Sequence, residues 1–149
     1  DVVFIQEALL EDKLCAAPRK ARKVVFTDPF IFHAAHAWLR PARYPFNEQI
    51  QPILNDPEQQ SSLVEACVTT HLRRTVPTYY LKGKGEVDAA YVKDGRFWPI
   101  EVKWTSQLRA KDLKQVSSYS NAAIYSRSRE PAQIMGVPTE PLPLALLRL

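Results

Sequence analysis

Two spacings of apolar residues divide the chain. At 30–38 and 63–72 they recur in three- and four-residue steps, the period of a helix face, whereas 24–26, 78–81 and 86–103 carry short β-branched and aromatic runs. Val24-Val25-Phe26 predicts a short strand. Asp28 then offers a helix N-cap with Pro29 in the first helical position, and Phe30, Ala34, Ala37 and Trp38 place a helix over about 29–39. Four prolines between Pro41 and Pro57 predict an extended loop with a short helical turn near 48–54. Ser-Leu-Val-Glu at 62–65 has the S-x-x-E capping-box pattern, and Leu63, Val64, Cys67, Val68 and Leu72 form an apolar stripe, so a helix is expected to begin at Ser62. Thr78–Leu81 reads as a strand, and Asp94-Gly95 is the signal for a two-residue hairpin turn inside 86–103.

The flanks read less regularly. Residues 2–10 have a mixed pattern expected to be the end of a helix, followed by a basic connector to Lys23, which sets 1–23 apart from a domain over 24–149. Ser106 to about Tyr119 has the composition of a helix, Ala122–Tyr125 of a buried strand and Gln133–Val137 of another, with an irregular tail from Pro138. The order helix, three strands, helix, strand argues for an α/β domain.

The hairpin carries the chemistry. If Lys93 faces Arg96, counting places Ala90 opposite Pro99, Asp88 opposite Glu101 and Glu86 opposite Lys103. Carboxylates about 5 Å apart repel by about 3 kcal/mol at an effective dielectric near 20, which a divalent cation with hard oxygen ligands would offset. Lys103 projects from the face of Glu101, while Ile100, Val102 and Trp104 alternate onto an opposite, apolar face. Carboxylates for Mg²⁺ and an ammonium for a charged phosphorane are the equipment of metal-assisted phosphodiester hydrolysis. The competing readings are a solvated surface hairpin for Asp88 and Glu101, and for Lys103 an ordinary salt bridge to Glu86.

Asp88, Glu101 and Lys103 resemble the signature of the PD-(D/E)XK nuclease superfamily, the restriction-endonuclease-like fold. In wider context, Val25-Phe26-Thr27-Asp28-Pro29, Leu63-Val64-Glu65-Ala66, Gly85-Glu86-Val87-Asp88 and Pro99-Ile100-Glu101-Val102-Lys103 resemble, in that order, the C-terminal domain of a family of prokaryotic AAA-type ATPases. The resemblance implies an α-β-β-β-α-β core with a mixed sheet flanked by helices, Mg²⁺ or Mn²⁺ held by Asp88 and Glu101, and DNA as the substrate. It implies Glu65 as the helix carboxylate that adds a metal ligand or holds a metal-bound water, although as the capping partner of Ser62 the same residue needs no ligand. Gln115 and Tyr119, at i, i+4 with Lys111 one turn before, resemble an extra motif of the RecB-like branch that lies beside the metal site. One departure stands out: Val87, where the superfamily pattern has proline, precedes Asp88. Domains of this kind on ATPases can keep the scaffold and lose cleavage, so the alternative is a non-catalytic DNA-docking or regulatory module of such an ATPase.

Composition adds little to this and excludes some classes. The 149 residues are 46% hydrophobic and 24% charged, enough for one globular core. The chain opens on Asp1 and holds a single Met, Met135, which points to a piece of something longer, and the resemblance implies an ATPase part N-terminal to it. Lys82-Gly83-Lys84-Gly85 is too short for a nucleotide-binding P-loop and lacks its hydroxyl residue, so nucleotide hydrolysis is not expected in this segment. The net charge is +4, and Arg19, Lys20, Arg22 and Lys23 form the densest basic cluster, either a patch for phosphates or a solvated linker. Two cysteines, Cys15 and Cys67, are too few for a disulfide framework or zinc site, and no signal peptide or spanning segment is visible, so a cytoplasmic setting and no membrane partner are expected. His33 and His36 share a helix face at i, i+3 without a third ligand nearby in sequence. Trp98, Trp104 and Tyr79-Tyr80 read as core or boundary residues ahead of base-stacking platforms.

Overall fold

The computed structural model describes residues 1–105 and 107–148, with Lys111 and Asp112 described by backbone only. The first 23 residues belong to the body of the fold. Phe4 and Gln6 point inward on a strand, β1 (Val3–Gln6), where a helix end was expected. After it come β2 (Leu9–Leu10) and β3 (Cys15–Ala16), which pair with each other, and β4 (Lys23–Phe26), which pairs antiparallel with β1. Ala8 and Leu9 are fully buried, and Tyr80 donates its backbone N–H to Glu7 O, so this segment is tied to the main sheet and is no free connector.

Helix α1 (Pro29–Leu39) has the limits its cap foretells, the Asp28 carboxylate accepting from Phe30 N at 2.6 Å. The proline-rich stretch is more helical than expected, with a π turn over Phe46–Ile50 running into α2 (Gln51–Asn55). Helix α3 (Pro57–Arg73) starts five residues before the capping-box reading because Asp56-Pro57 repeats the Asp28-Pro29 device: Asp56 Oδ1 accepts from Glu58 N at 2.9 Å and Gln59 N at 3.1 Å. Ser62 therefore lies in the helix interior, and Glu65 caps nothing.

The six-stranded mixed sheet comprises β5 (Thr78–Lys82), β6 (Glu86–Lys93), β7 (Arg96–Lys103), β8 (Ala123–Ser126), β9 (Ala132–Ile134) and β10 (Val137–Pro141), in the order β5-β6-β7-β8-β10-β9. The β5-β6-β7 meander is antiparallel, β8 runs parallel to both β7 and β10, and β9 closes the far edge antiparallel. Asp94 and Gly95, at φ 54° and 70°, turn the β6–β7 hairpin, and Met135 and Gly136 repeat that backbone at 53° and 79° between β9 and β10. The second turn splits the single strand expected at 133–137 into two, and the tail forms β10 and then α4 (Leu142–Leu147) instead of irregular structure.

Val68 and Leu72 of α3, with Leu142 and Ala145 of α4, cover one face of the sheet over Ala89, Ile100 and Val102. The other face packs Val87, Ala90 and Ile124 against Leu9, Leu113 and Val116. Leu113 and Val116 come from two 3₁₀ turns, Ala110–Leu113 and Val116–Ser118, which replace the helix expected from Ser106 to Tyr119; Ser106 itself lies outside the described residues. The serines account for this. Ser117 and Ser118 Oγ donate to the carbonyls of Lys114 and Gln115 at 3.1 and 2.7 Å, a local alternative to helical hydrogen bonding. Tyr80, buried with its hydroxyl on Ala21 O at 2.6 Å, and Trp98, stacked on Tyr91 at 6.3 Å, are core and boundary residues as read from the sequence. Among the described residues no helix is long and apolar enough to cross a membrane.

Candidate functional site

The β6–β7 ladder follows the counted register from Lys93↔Arg96 to Ala89↔Ile100 and then opens. The cause is a bulge. Tyr79 pairs with Ala90 but Leu81 pairs with Val87, so β6 spends two residues, Asp88 and Ala89, opposite Tyr80 alone. Val87 and Ala90 consequently pack into one core cluster and Ala89 into the other. Asp88 is turned toward β7, where its Oδ2 accepts from Val102 N at 2.8 Å, a donor an unbroken ladder would have given to a β6 carbonyl. The extra backbone of the bulge is held by Gln6. Its buried amide donates to Tyr79 O at 3.1 Å and Asp88 O at 3.2 Å.

Glu101 and Lys103 lie just beyond the last ladder pair on β7. Their ion pair is 2.5 Å long, with Glu101 buried and Lys103 half-buried. Glu101 Oε2 is buried and has no hydrogen-bond partner among the described residues, an uncompensated acceptor in a place where partners are the rule. Glu65 comes from the sheet-facing side of α3, near enough to feel Asp88, Lys23, Lys103 and Glu86. Glu86 does not meet Lys103 as a salt-bridge reading requires; it holds Lys23, and Lys82 at 2.8 Å.

The electrostatics follow from this packing. Burial, with the charge of Asp88 second, pushes the Glu65 carboxyl up to about 7 against the pull of Lys23 and Lys103. Burial and Asp88 likewise push Glu101 up to about 7, although Lys103 bonds to it. Burial raises Asp88 too, opposed by Lys103 and the Val102 N–H. Burial works against the Lys103 ammonium, but Asp88, Glu101 and Glu65 outweigh it and lift Lys103 above the ordinary lysine range. The three carboxyl groups thus share the charge of Lys103, with Lys23 acting on Glu65 and Asp88 as well, and the two cations offset burial only in part.

Solvent reaches Asp88 and Glu65 through a cleft, and Lys103 is partly exposed outside it. A cleft of 640 Å³ runs between β4, the inner side of α1 and the first half of α3, with Asp88 and Glu65 in its lining beside Lys23, Gln6 and Phe32. Glu101 sits behind Asp88 and outside the lining.

Asp88, Glu101, Lys103 and Glu65 are therefore brought to one place, as the sequence implied. Gln115 and Tyr119 are not on one helix. They flank a 3₁₀ turn, Gln115 lying against Gly85 and Tyr119 reaching Glu11 Oε1 at 3.3 Å and the Phe97 ring at 5.9 Å, toward the hairpin tip. The side chain of Lys111 lies outside the described residues. Three of the four residues of the basic cluster are engaged internally: Lys20 on Lys82 O, Arg22 on Glu7 and Lys23 on Glu86. Burial and His36 lower the His33 pKa, but among the described residues no third ligand joins the two histidines. Sequence reading missed Gln6 and the bulge, for a lone glutamine on a short strand carries no signal of what it caps.

Among the described residues no three His, Cys, Asp or Glu side chains stand close enough together to hold a metal ion as they are arranged. The donor set nonetheless suits a hard divalent cation. It consists of carboxylates held above their ordinary pKa by burial and by one another, one with an unpartnered buried oxygen, and a cation would relieve both conditions.

Residues 60–137 match the model of a family described as Domain of unknown function (DUF4143). No curated protein and no solved structure matches the chain.

Proposed function

The chain belongs to the DUF4143 family, whose description leaves its activity open, and from the site itself we propose a metal-dependent nuclease-like domain that hydrolyses DNA phosphodiesters. In this reading the α3–β5–β6–β7–β8 portion is a restriction-endonuclease-like, PD-(D/E)XK core, and the domain is the C-terminal part of a larger cytoplasmic AAA-type ATPase. The observation that carries it is the meeting of Asp88, Glu101, Lys103 and Glu65 where β6 and β7 part, with Glu101 Oε2 buried and unpartnered.

Asp88 and Glu101 would hold Mg²⁺ or Mn²⁺, with Glu65 as a further ligand. The ion would supply Lewis-acid polarisation of a phosphoryl oxygen and neutralise developing charge. Lys103 keeps its proton at any ordinary pH and so acts as an electrostatic group, steadying a phosphorane or orienting water, and not as a base. Glu65 lines the cleft beside Asp88 and has no hydrogen-bond partner among the described residues, which leaves its carboxylate available to hold the ion or a water bound to it. Val25, Phe26 and Phe32 make the facing wall apolar and limit competing water.

A second reading, a non-catalytic DNA-docking or regulatory module of the same ATPase, is favoured by the 2.5 Å Lys103–Glu101 ion pair, which already partly occupies the charge a metal would neutralise. Two measurements decide between them. Titration calorimetry with Mn²⁺ on the unaltered chain and on Glu101→Ala reads metal binding, and plasmid incubated with Mn²⁺ and the chain, alongside Asp88→Ala and Lys103→Ala, reads cleavage. The nuclease reading expects Mn²⁺ heat abolished by Glu101→Ala and nicking abolished by both other variants. Plasmid breakdown equal in all three proteins refutes it, and salt-dependent DNA binding without turnover leaves the docking module.

A further inference from the structure

Helix α1, Pro-Phe-Ile-Phe-His-Ala-Ala-His-Ala-Trp-Leu, has no acidic, Lys or Arg side chain and buries none of its residues. Its outer face is a stripe at i, i+4, i+8: Phe30 is 78% exposed, Ala34 is exposed, and Trp38 is 81% exposed. Tyr44 and Phe46 add rings that are 56% and 58% exposed, on a segment tied to the helix end by Gln49, which donates to Arg40 O. A helix this apolar is ordinarily part of a core.

We propose that this face joins two copies of the chain, α1 packing antiparallel on α1 about a two-fold axis at Ala34. The stripe is complementary to itself. A small residue at the centre lets the helix axes approach, and an aromatic four residues to either side places Phe30 against Trp38 of the partner subunit. The same register sets the exposed Arg40 opposite Asp28 of the partner subunit, whose carboxylate among the described residues accepts just its own cap bond from Phe30 N. Antiparallel helix dipoles favour the arrangement as well.

Area and composition agree with this occupant. At about 200 Å² per aromatic side chain, the four exposures leave on the order of 550 Å² uncovered, a large part of the roughly 800 Å² each partner gives a stable interface. Trp, Tyr, Phe and Arg are the residues enriched in such interfaces and Lys is depleted, whereas a nucleic-acid track would interleave its rings with free cations. Here Arg43 already lies over the Tyr44 ring at 5.3 Å.

Sedimentation equilibrium tests the proposal. The unaltered chain is expected to dimerise, and Trp38→Glu or Ala34→Glu to raise the dissociation constant at least about 30-fold, the loss of a central anchor. Circular dichroism on each variant confirms the fold, which the exposure of both positions favours. Ala34→Cys in a Cys15→Ser background reads geometry independently: mild oxidation is expected to give a covalent dimer, and Lys13→Cys in the same background is not. A chain that stays monomeric to about 100 µM overturns the proposal. So does a dimer indifferent to both glutamate substitutions, or an Ala34→Cys variant that fails to cross-link. Quenching of a monomer's fluorescence by single-stranded oligonucleotide, abolished by Trp38→Phe, would overturn it in favour of nucleic acid.

Discussion

Replacing Glu101 by glutamine removes a charge from the place that tolerates it least. Its carboxyl is held at about 7, against an ordinary 4.5, chiefly by burial and by Asp88. Because the folded-state pKa is the higher one, the native chain binds more protons than the unfolded chain between those values, and stability falls as pH rises through that window. Above pH 7 the unaltered protein carries the whole penalty, and below pH 4.5 none of it. A shift of that size corresponds to about 3 kcal/mol at 1.36 kcal/mol per unit. Glutamine cannot ionise, so Glu101→Gln is expected to stabilise by on the order of 2 kcal/mol at pH 8, after allowing for the lost bond to Lys103, and to be neutral or slightly destabilising at pH 4.5. In thermal terms the pH 8 gain is roughly 6 °C for a domain of this length. Urea unfolding followed by tryptophan fluorescence at both pH values measures it. A gain of the same size at both pH values would mean a packing effect, and a loss at pH 8 would mean that Lys103 outweighs burial; either result refutes the reasoning.

Further expectations concern the supports of the site. Gln6→Ala leaves the carbonyls of Tyr79 and Asp88 without their donor and is expected to cost about 1–3 kcal/mol in denaturant unfolding, with Mn²⁺ affinity falling alongside if the bulge aims Asp88. Asp56→Ala removes the α3 cap and is expected to lower the unfolding midpoint in the same assay, whereas Ser62→Ala, inside the helix, should leave it nearly unchanged. Gly85→Ala would put its Cβ 2.6 Å from Gln115 Oε1, the end of a flexible side chain, so calorimetry should show a melting temperature within about 3 °C of the unaltered chain; a larger drop would mean that Gln115 is pinned.

Local chemistry was legible where it acts alone. Asp28-Pro29 fixed both the start and the direction of α1, and Asp94-Gly95 fixed the register as far as Ala89↔Ile100. The reading failed where two local signals competed or where a distant group decided. At α3 the Ser62–Glu65 pattern competes with Asp56-Pro57, and a proline at the first helical position after an aspartate is the stronger device, which the structure uses. The composition of 107–119 suits a helix, but two serine hydroxyls and the need to bury Leu113 and Val116 settle for 3₁₀ turns. Counting along one hairpin is enough to bring Asp88, Glu101 and Lys103 together, whereas Glu65, on a separate helix, enters only through the resemblance. The opening of that hairpin depends on an amide 82 residues away, which no window along the chain contains.

That distance bears on how the domain is made. Closing a loop of 82 residues costs about 4 kcal/mol of chain entropy before any contact repays it. On the ribosome Gln6 emerges first and must wait for Asp88, so the acidic pocket takes shape late in synthesis, after α1 and α3 have had time to coil. Nascent chains released before residue 88 would carry helices but no pocket.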